Sequence, residues 1–273
     1  MSDDEFIEPL VSPVVDTHCH MDVHYDDNHI LPSVNDALAN AAQVGVSVVM
    51  QVGCDVASSQ WAVKTASEYS NVWATVALHP NAAAHDDNLH DSLATIAELA
   101  RLDVVRGIGE TGLDYFRTQE DQAAQQHESF RAHIDISKEN NKPLIIHDRD
   151  AHDDVISTLL TYGAPDTVVF HCFSGDSDMA AICRDNGWYM SFSGVVTFKN
   201  AISLREALLV APTELLLVET DSPFLTPTPF RGRPNASRLM PFTVRTMAST
   251  RGQSEQEMCE ALFSNAARVF GPF

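Results

Sequence analysis

The amino-acid sequence predicts a single (β/α)8 barrel, the TIM barrel, in which eight parallel strands alternate with helices. Three observations carry this prediction. Eight short apolar runs recur along the 273 residues, longer helical patterns fill the intervals, and polar groups gather where the apolar runs end. A doubly wound open sheet is the competing fold, but no Gly-rich dinucleotide fingerprint follows the first run.

The eight runs are nearly continuous in apolar character, as expected of parallel strands that are buried on both faces. They are VVDTHCH (14–20), VSVVMQVG (46–53), VWATVALHP (72–80), VVRGIGETG (104–112), PLIIHDR (143–149), TVVFHCFSG (167–175), WYMSFSG (188–194) and ELLLVETDSP (214–223).

Helical patterns occupy the intervals between these runs. Residues 120–140 form a long polar-amphipathic segment. Residues 254–268 open with Ser254, and Glu257 three positions later predicts a capping box. Residues 151–162 predict another amphipathic helix, in which four apolar residues form one stripe. These are Val155, Ile156, Leu159 and Leu160.

Composition indicates a soluble, cytoplasmic protein with one large core. Hydrophobic residues make up 44% of the chain, and no run approaches the length of a membrane span. The start, MSDDEFIEPL, is acidic where a secretory signal is basic and then apolar. The five cysteines include no C-x-x-C pair and are expected to be reduced thiols. We therefore predict an acidic extension over residues 1–13 and a single barrel domain over 14–273.

The charge balance restricts the possible partners. Seventeen Lys and Arg face 38 Asp and Glu, which gives a formal net charge of -21. This negative charge opposes docking to anionic membranes or to long duplex DNA. A nucleic-acid end could still enter a site in which bound metal ions make the local charge positive. No obligate protein partner is evident.

Polar side chains end the apolar runs, and in a barrel these ends meet at one mouth, where such enzymes keep their chemistry. Taken singly, each has an ordinary explanation, such as a hydrogen-bonded core histidine or a capping glutamate. Together they predict a metal centre of imidazole and carboxylate ligands. The residues concerned are His18, His20, His79, Glu110, His147, His171 and Asp221.

The spacing predicts two divalent ions. His18 and His20 lie two residues apart on one strand, so both rings face the interior while Cys19 faces outward. We expect His18, His20 and Asp221 to hold one ion and His147 and His171 the other, with Glu110 shared between them. Ligand type leaves the metal open among Zn, Mg, Mn, Fe, Co and Ni. The predicted chemistry is metal-assisted hydrolysis by water, with Asp221 accepting the proton and Glu110 and His79 as further catalytic residues.

Seven motifs resemble, in order, those of the TatD-type deoxyribonuclease family of amidohydrolase-like enzymes, and the resemblance spans nearly the whole chain. The motifs are DTHCHMD (16–22), ALHP (77–80), GETGLDYF (109–116), IIHDRDA (145–151), HCFSG (171–175), ETDSPFLTP (219–227) and RGRPN (231–235). The resemblance implies a TIM barrel with divalent metals and 3′→5′ exonuclease action on single-stranded DNA ends. It also implies the same six ligands that spacing selects.

Further residues near the mouth are candidates for substrate binding, each against a plainer structural role. His79 could contact phosphate or protonate a leaving group, or could simply form a turn with Pro80. The substrate-binding candidates are Arg117, Arg149, Ser174, Arg231 and Arg233. The family usually continues the last motif with Asn-Glu-Pro, whereas this chain has Asn235-Ala236-Ser237, which leaves the contacts of this loop open.

Two alternatives remain. The same barrel and metals could serve an esterase or deacylase, for example one acting on D-aminoacyl-tRNA. The four lysines (64, 138, 142 and 199) lie away from the end of the fourth strand, which disfavours the lysine-bridged branches of amidohydrolases. A non-catalytic metal-binding protein would leave the full ligand set and the loop arginines unexplained.

Overall fold

A computed structural model of the chain describes residues 6–118 and 123–272. The rest of the chain, which includes residues 1–5 of the predicted extension and 120–122 of a predicted helical segment, lies outside the described residues. The division at residue 13 stays a prediction. Residues 6–13 pack on the barrel, since Ile7 and Leu10 are buried and Arg245 donates to the carbonyl oxygens of Glu8 and Pro9.

Eight parallel strands pair in chain order, from β1 to β8, which confirms the predicted TIM barrel. The seam between the last and first strands is held by a parallel bridge between Cys19 and Ser222 and by a 2.8 Å hydrogen bond from His20 N to Ser222 O. The strands are β1 (Val14–Cys19), β2 (Val46–Val52), β3 (Val72–Val76), β4 (Val105–Asp114), β5 (Leu144–Arg149), β6 (Val168–Phe170), β7 (Tyr189–Phe192) and β8 (Leu216–Val218).

Helices connect the strands and cover the outside of the barrel. They are α1 (Val34–Gln43), α2 (Val56–Glu68), α3 (Pro80–Ala83), α4 (Leu89–Leu99), α5 (Ala123–Asn140), α6 (His152–Thr158), α7 (Ser177–Asn186), α8 (Ile202–Val210), α9 (Met240–Arg251) and α10 (Glu255–Phe270). No helix within the described residues is long and apolar enough to cross a membrane.

Two helix predictions have different outcomes. The capping box is confirmed, because the Ser254 side chain accepts from the Glu257 backbone and the Glu257 side chain accepts from Ser254 N. The stripe over 151–162 is wrong at Leu160, which is 57% exposed. The α-helix ends at Thr158, and a π-helical turn over Leu159–Gly163 changes the residue spacing, so that Leu160 leaves the buried face.

The interior has two hydrophobic clusters. The larger lies between the strands and the surrounding helices. The smaller fills the barrel itself with residues such as Val15, Trp73 and Ile145, and the last turn of α10 adds Val269 and Phe270. These strand residues lie near the amino ends of their strands, so α10 closes the end of the barrel that lies away from the predicted metal centre.

The pairing register of the sheet shifts at four places within the described residues, and two of these shifts lie at predicted metal ligands. Between the pairs Asp16↔Val49 and Cys19↔Gln51, strand β1 contains one residue more than β2, and this segment includes His18. Between Ile108↔Leu144 and Thr111↔Ile146, strand β4 contains one residue more than β5, and this segment includes Glu110. Such bulges redirect side chains locally. They occur where the predicted metal ligands enter the barrel.

Candidate metal centre

Glu110 lies in the middle of the predicted ligand set, and its two carboxylate oxygens face different histidines. Oε1 is 3.6 Å from His18 Nε2 and 3.5 Å from His20 Nε2. Oε2 is 3.0 Å from His147 Nδ1 and 2.8 Å from His171 Nε2. One carboxylate therefore joins two histidine pairs, the arrangement required of a group shared between two ions.

Close packing against β5 places Glu110. A Cβ atom on the preceding Gly109, whose φ is +155°, would lie 2.5 Å from both the Cβ and the carbonyl oxygen of Ile145. A Cβ on Gly112 would lie 2.1 Å from the carbonyl oxygen of His147. Only glycine permits this approach of the two strands.

Asp221 approaches the same histidines from β8. Its Oδ1 is 3.4 Å from His20 Nε2 and 3.9 Å from His18 Nε2. The residue has a φ of +54°, and its N–H donates to the carbonyl oxygen of His18 at 2.9 Å. The seam of the barrel thus places the carboxylate of β8 beside the histidine pair of β1.

All six predicted ligands are brought together. The sets whose ligand atoms lie within 4.8 Å of one another are His18, His171 and Asp221; His18, His20 and Glu110; Glu110, His147 and His171; and His79, Asp114 and His147. The last set was not expected from the sequence.

The residues fit a metal. Both ring nitrogens of His18 are buried and lack a hydrogen-bond partner, a costly state that a metal bond to one nitrogen would relieve in part. Burial, together with the charge of His171, lowers the pKa of His18, so that the neutral ring has a lone pair to give. Imidazole and carboxylate donors suit divalent transition ions.

Two other histidines, His20 and His171, have one ring nitrogen directed away from the centre. Nδ1 of His20 lies 3.3 Å from the carbonyl oxygen of Val52, and Nδ1 of His171 lies 3.2 Å from Glu219 Oε1. Such contacts orient a metal-binding imidazole. Glu219 also accepts from Cys172 N at 2.7 Å. The buried glutamate near the end of the last strand therefore has partners, but the sequence did not indicate which ones.

The carboxylates of the centre are ionised. Burial alone would raise the pKa of Glu110, but the charge of His171 and hydrogen bonds from His147 and His171 hold it well below its usual range. Burial also opposes ionisation of Asp221, but the hydrogen bond from His20 and the charges of the neighbouring histidines together outweigh it and lower the pKa. Two negative groups thus face a cluster of imidazoles, and the imidazoles lose their protons when they bind a metal ion.

His79 caps a helix with one ring nitrogen, while the other nitrogen faces the centre; its contact with substrate stays a prediction. Its Nδ1 accepts from Asn81 N at 3.1 Å, which caps α3, and its Nε2 lies 3.8 Å from Glu110 Oε2 and 3.2 Å from His147 Nδ1. Burial, opposed by the charge of Glu110, lowers the pKa of His79 to about 3. The ring is therefore neutral near pH 7, with its proton on Nε2 and directed into the centre.

Two of the predicted substrate-binding arginines pair with aromatic rings. The guanidinium carbon of Arg149 is 3.8 Å from the ring centroid of Phe116, and that of Arg231 is 3.5 Å from the ring centroid of Phe198. The guanidinium of Arg233 lies 5.6 Å from a third ring, that of Phe230. The sequence indicated the arginines but not the partners Phe116 and Phe198, each of which lies 33 positions before its arginine.

The remaining two candidates lie on exposed loops. The backbone N–H of Arg117 donates to Asp114 Oδ1 at 3.0 Å. The hydroxyl of Ser174 donates to the carbonyl oxygen of Asp148 at 3.3 Å. Both residues are exposed, and the structure leaves their predicted contact with substrate as a prediction.

The departure at Asn235-Ala236-Ser237 falls on the inner side of its loop. Asn235 is buried, and its Nδ2 donates to the carbonyl oxygen of Thr220 at 2.9 Å. Ser237 donates to Asp16 Oδ2 at 2.7 Å. Asn235 and Ser237 therefore support the seam between β8 and β1 through these contacts.

A TIM barrel whose mouth gathers buried histidine and carboxylate clusters able to bind metal defines a metal-dependent hydrolase. A family model described as TatD related DNase matches residues 15–271. The chain belongs to this TatD family.

Individual relatives agree with this assignment. The chain is 43% identical over 265 residues to an uncharacterized metal-dependent hydrolase, TatD, of Mycobacterium tuberculosis, covering 94% of this chain and 98% of that protein. It is 38% identical over 259 residues to YcfH of Escherichia coli, with coverage of 94% and 95%. The crystal structure of YJJV, a TatD homologue of Escherichia coli, has a TM-score of 0.88 and 26% identity, with coverage of 95% and 98%.

Proposed function

We propose that this hydrolase is a deoxyribonuclease that removes nucleotides in the 3′→5′ direction from single-stranded or frayed DNA ends. The observation that carries the proposal is the position of Glu110, whose two oxygens face two separate histidine pairs. Paired divalent ions suit the displacement at a phosphodiester, where charge develops on both the attacking and the leaving oxygen. The DNase in the description of the matching family supports the same substrate.

In this proposal two divalent ions are held by the six residues predicted from the sequence. His18, His20 and Asp221 would hold one ion, His147 and His171 would hold the other, and Glu110 would be shared between them. When bound, such ions activate water at neutral pH and neutralise phosphate charge.

The chain's own groups have distinct tasks around this centre. Asp221, which is ionised, accepts the proton of the attacking water. His79, with a neutral ring and a proton on Nε2, donates a hydrogen bond to a phosphate oxygen or to the leaving group. The predicted substrate-binding arginines at the mouth of the barrel supply positive charge for the phosphates of the substrate. The chain as a whole, with a net charge of -21, would repel a polyanion.

The net charge also explains why ends are the proposed substrate. Long duplex DNA would place many phosphates against an acidic surface, whereas a single-stranded end needs only the mouth. The prediction of a cytoplasmic enzyme without an obligate protein partner belongs to this proposal.

The test uses a single-stranded oligonucleotide labelled at its 5′ end, with Mg or Mn added to protein whose metal content has been measured. We expect stepwise shortening by the wild type and its loss in Glu110→Gln. Glu68→Gln changes an exposed glutamate on α2 in the same way and is the matched control. If folded, metal-loaded wild type leaves DNA intact but hydrolyses an aminoacyl-RNA or a simple ester, the deacylase or esterase alternative replaces this proposal.

A further inference from the structure

Two arginine–phenylalanine stacks stand at the mouth of the barrel. The first is Arg149 over Phe116 and the second is Arg231 over Phe198. Phe116 follows β4 and Arg149 ends β5, while Phe198 follows β7 and Arg231 follows β8. Strand β6 separates the two stacks, and its carboxyl end leads to His171. The two stacks therefore flank the metal centre on neighbouring parts of the rim.

The first stack is joined directly to the centre. The N–H of Phe116 donates to Asp114 Oδ1 at 3.0 Å, and Asp114 Oδ2 lies 3.4 Å from His147 Nε2. Phe116 is nevertheless 62% exposed, and Arg149 is partly exposed. The aromatic ring and the guanidinium of this stack are thus open to solvent, and Asp114 connects the stack to the predicted metal ligand His147.

The second stack is fixed by the packing of two loops. Nη1 of Arg205 donates to the carbonyl oxygen of Phe198 at 2.7 Å, and Thr228 N donates to Thr197 Oγ1 at 2.8 Å. These bonds attach the loop after β7 to its own helix and to the loop after β8. Arg231 is exposed and Phe198 is partly exposed, so this stack also faces solvent.

A cation over a ring has a structural explanation, because an exposed pair of this kind stabilises a loop modestly. That explanation does not account for the placement of two such stacks on either side of one strand end. Basic residues are scarce in this chain, which has only 17 of them and a net charge of -21. Aromatic rings that stack on bases, combined with arginines that bind the backbone, are the elements that recognise single-stranded nucleic acids.

We propose that the two stacks bind successive nucleotides of a single strand, with Phe116 and Phe198 stacking on bases and Arg149 and Arg231 binding the adjoining phosphates. This inference rests on the proposed nuclease function and deepens it. It makes the two phenylalanines determinants of substrate choice, because paired bases inside a duplex have no free face to offer. Recognition by stacking is also tolerant of sequence.

The test compares kcat/KM for a single-stranded oligonucleotide with kcat/KM for bis(p-nitrophenyl) phosphate, a phosphodiester without bases, in the metal-loaded enzyme. Phe116→Ala and Phe198→Ala should each lower the ratio of the two values about tenfold, mainly through KM for the oligonucleotide. Phe116→Tyr and Phe198→Tyr, which keep an aromatic ring, should restore it. The matched control is Tyr162→Ala, because Tyr162 is also an exposed ring beside a cation, with Lys138 Nζ 5.5 Å away, but at the opposite end of the barrel.

The outcomes separate the two proposals. If oligonucleotides are cleaved and the ratio is unchanged in both alanine variants, or both substrates lose activity equally, the stacks do not select nucleotides and this inference is wrong. If the wild type hydrolyses bis(p-nitrophenyl) phosphate but neither binds nor cleaves oligonucleotides, the nuclease proposal itself fails, and this inference with it.

Discussion

The carboxylate of Asp114 lies 3.4 Å from Nε2 of His147, while Nδ1 of the same ring lies 3.0 Å from Glu110 Oε2. One imidazole thus spans two buried carboxylates. Asp114 is itself held by Asn81 Nδ2 at 3.0 Å. The contact would fix the orientation of His147 toward the centre, as carboxylates do behind metal-binding histidines.

Asp114→Asn should therefore weaken metal binding without unfolding the protein. We expect the affinity for the divalent ion to fall at least about tenfold, because the amide no longer attracts the ring N–H as a charge does. Metal titration of the metal-free protein followed by calorimetry measures the effect. Asp166→Asn, an exposed aspartate before β6, is the control, and equal affinities in all three proteins would contradict the prediction.

His133 should make stability depend on pH. It is buried on α5, its Nε2 accepts from Leu78 N at 3.0 Å, and its Nδ1 lies 2.7 Å from the carbonyl oxygen of Ser129, to which it donates. Burial lowers its pKa to about 4, so the folded state binds fewer protons than the unfolded state between the ordinary pKa of histidine and this value. Stability therefore falls as the pH drops through that interval, by about 3 kcal/mol in total.

Urea unfolding of metal-free wild type and His133→Gln at several pH values isolates this contribution. The stability advantage of the wild type should shrink as the pH falls from about 7 to about 4, since only the wild type has this histidine to protonate. Two curves that stay parallel over the whole range would show that His133 does not titrate as described.

Gly109→Ala should be far more damaging than a similar change at an open glycine. Its Cβ would meet the backbone of Ile145 at 2.5 Å, so β4 and β5 would have to separate where Glu110 enters the centre. Gly187, with a φ of +70° and no atom within 4 Å of a Cβ, provides the comparison. Gly187→Ala should cost about 1 kcal/mol from backbone strain alone. Urea unfolding measures both variants, and similar losses would contradict the packing argument.

Asp16 should be essential to the seam of the barrel. It is fully buried and accepts from Thr220 Oγ1 at 2.6 Å, Thr220 N at 2.9 Å and Ser237 Oγ at 2.7 Å. Asp16→Ala leaves these donors unpaired and should cost about 3 kcal/mol or more. Ser237→Ala removes one hydrogen bond and should cost about 1 kcal/mol. Urea unfolding measures both variants. If Ser237→Ala lost more stability than Asp16→Ala, Asp16 would not be the residue on which the seam depends.

The sequence was sufficient for the barrel and for the composition of the centre because both depend on a regular rule. Parallel strands end on one side, so polar residues that end apolar runs, such as His147 and His171, must meet. The rule does not extend to local irregularities. The extra residues in β1 and β4, which place His18 and Glu110, depend on how each strand packs against its neighbour.

Contacts between residues that are distant along the chain could not be predicted from the sequence either. Asp114 and His147, or Phe116 and Arg149, lie 33 positions apart in each case, and no periodicity relates them. Leu160 shows the same limit within a helix, because the pattern assumed an α-helical spacing where the chain forms a π-helical turn.

The packing of α10 has a consequence for biosynthesis. Val15 of β1 shares its cluster inside the barrel with Val269 and Phe270, the last residues of α10. A ribosome therefore releases all eight strands before the residues that close the amino end of the barrel can reach them. Until then the apolar residues at this end of the barrel lack their cover, so the barrel is completed only after α10 has been synthesised, and chaperones can bind in this interval.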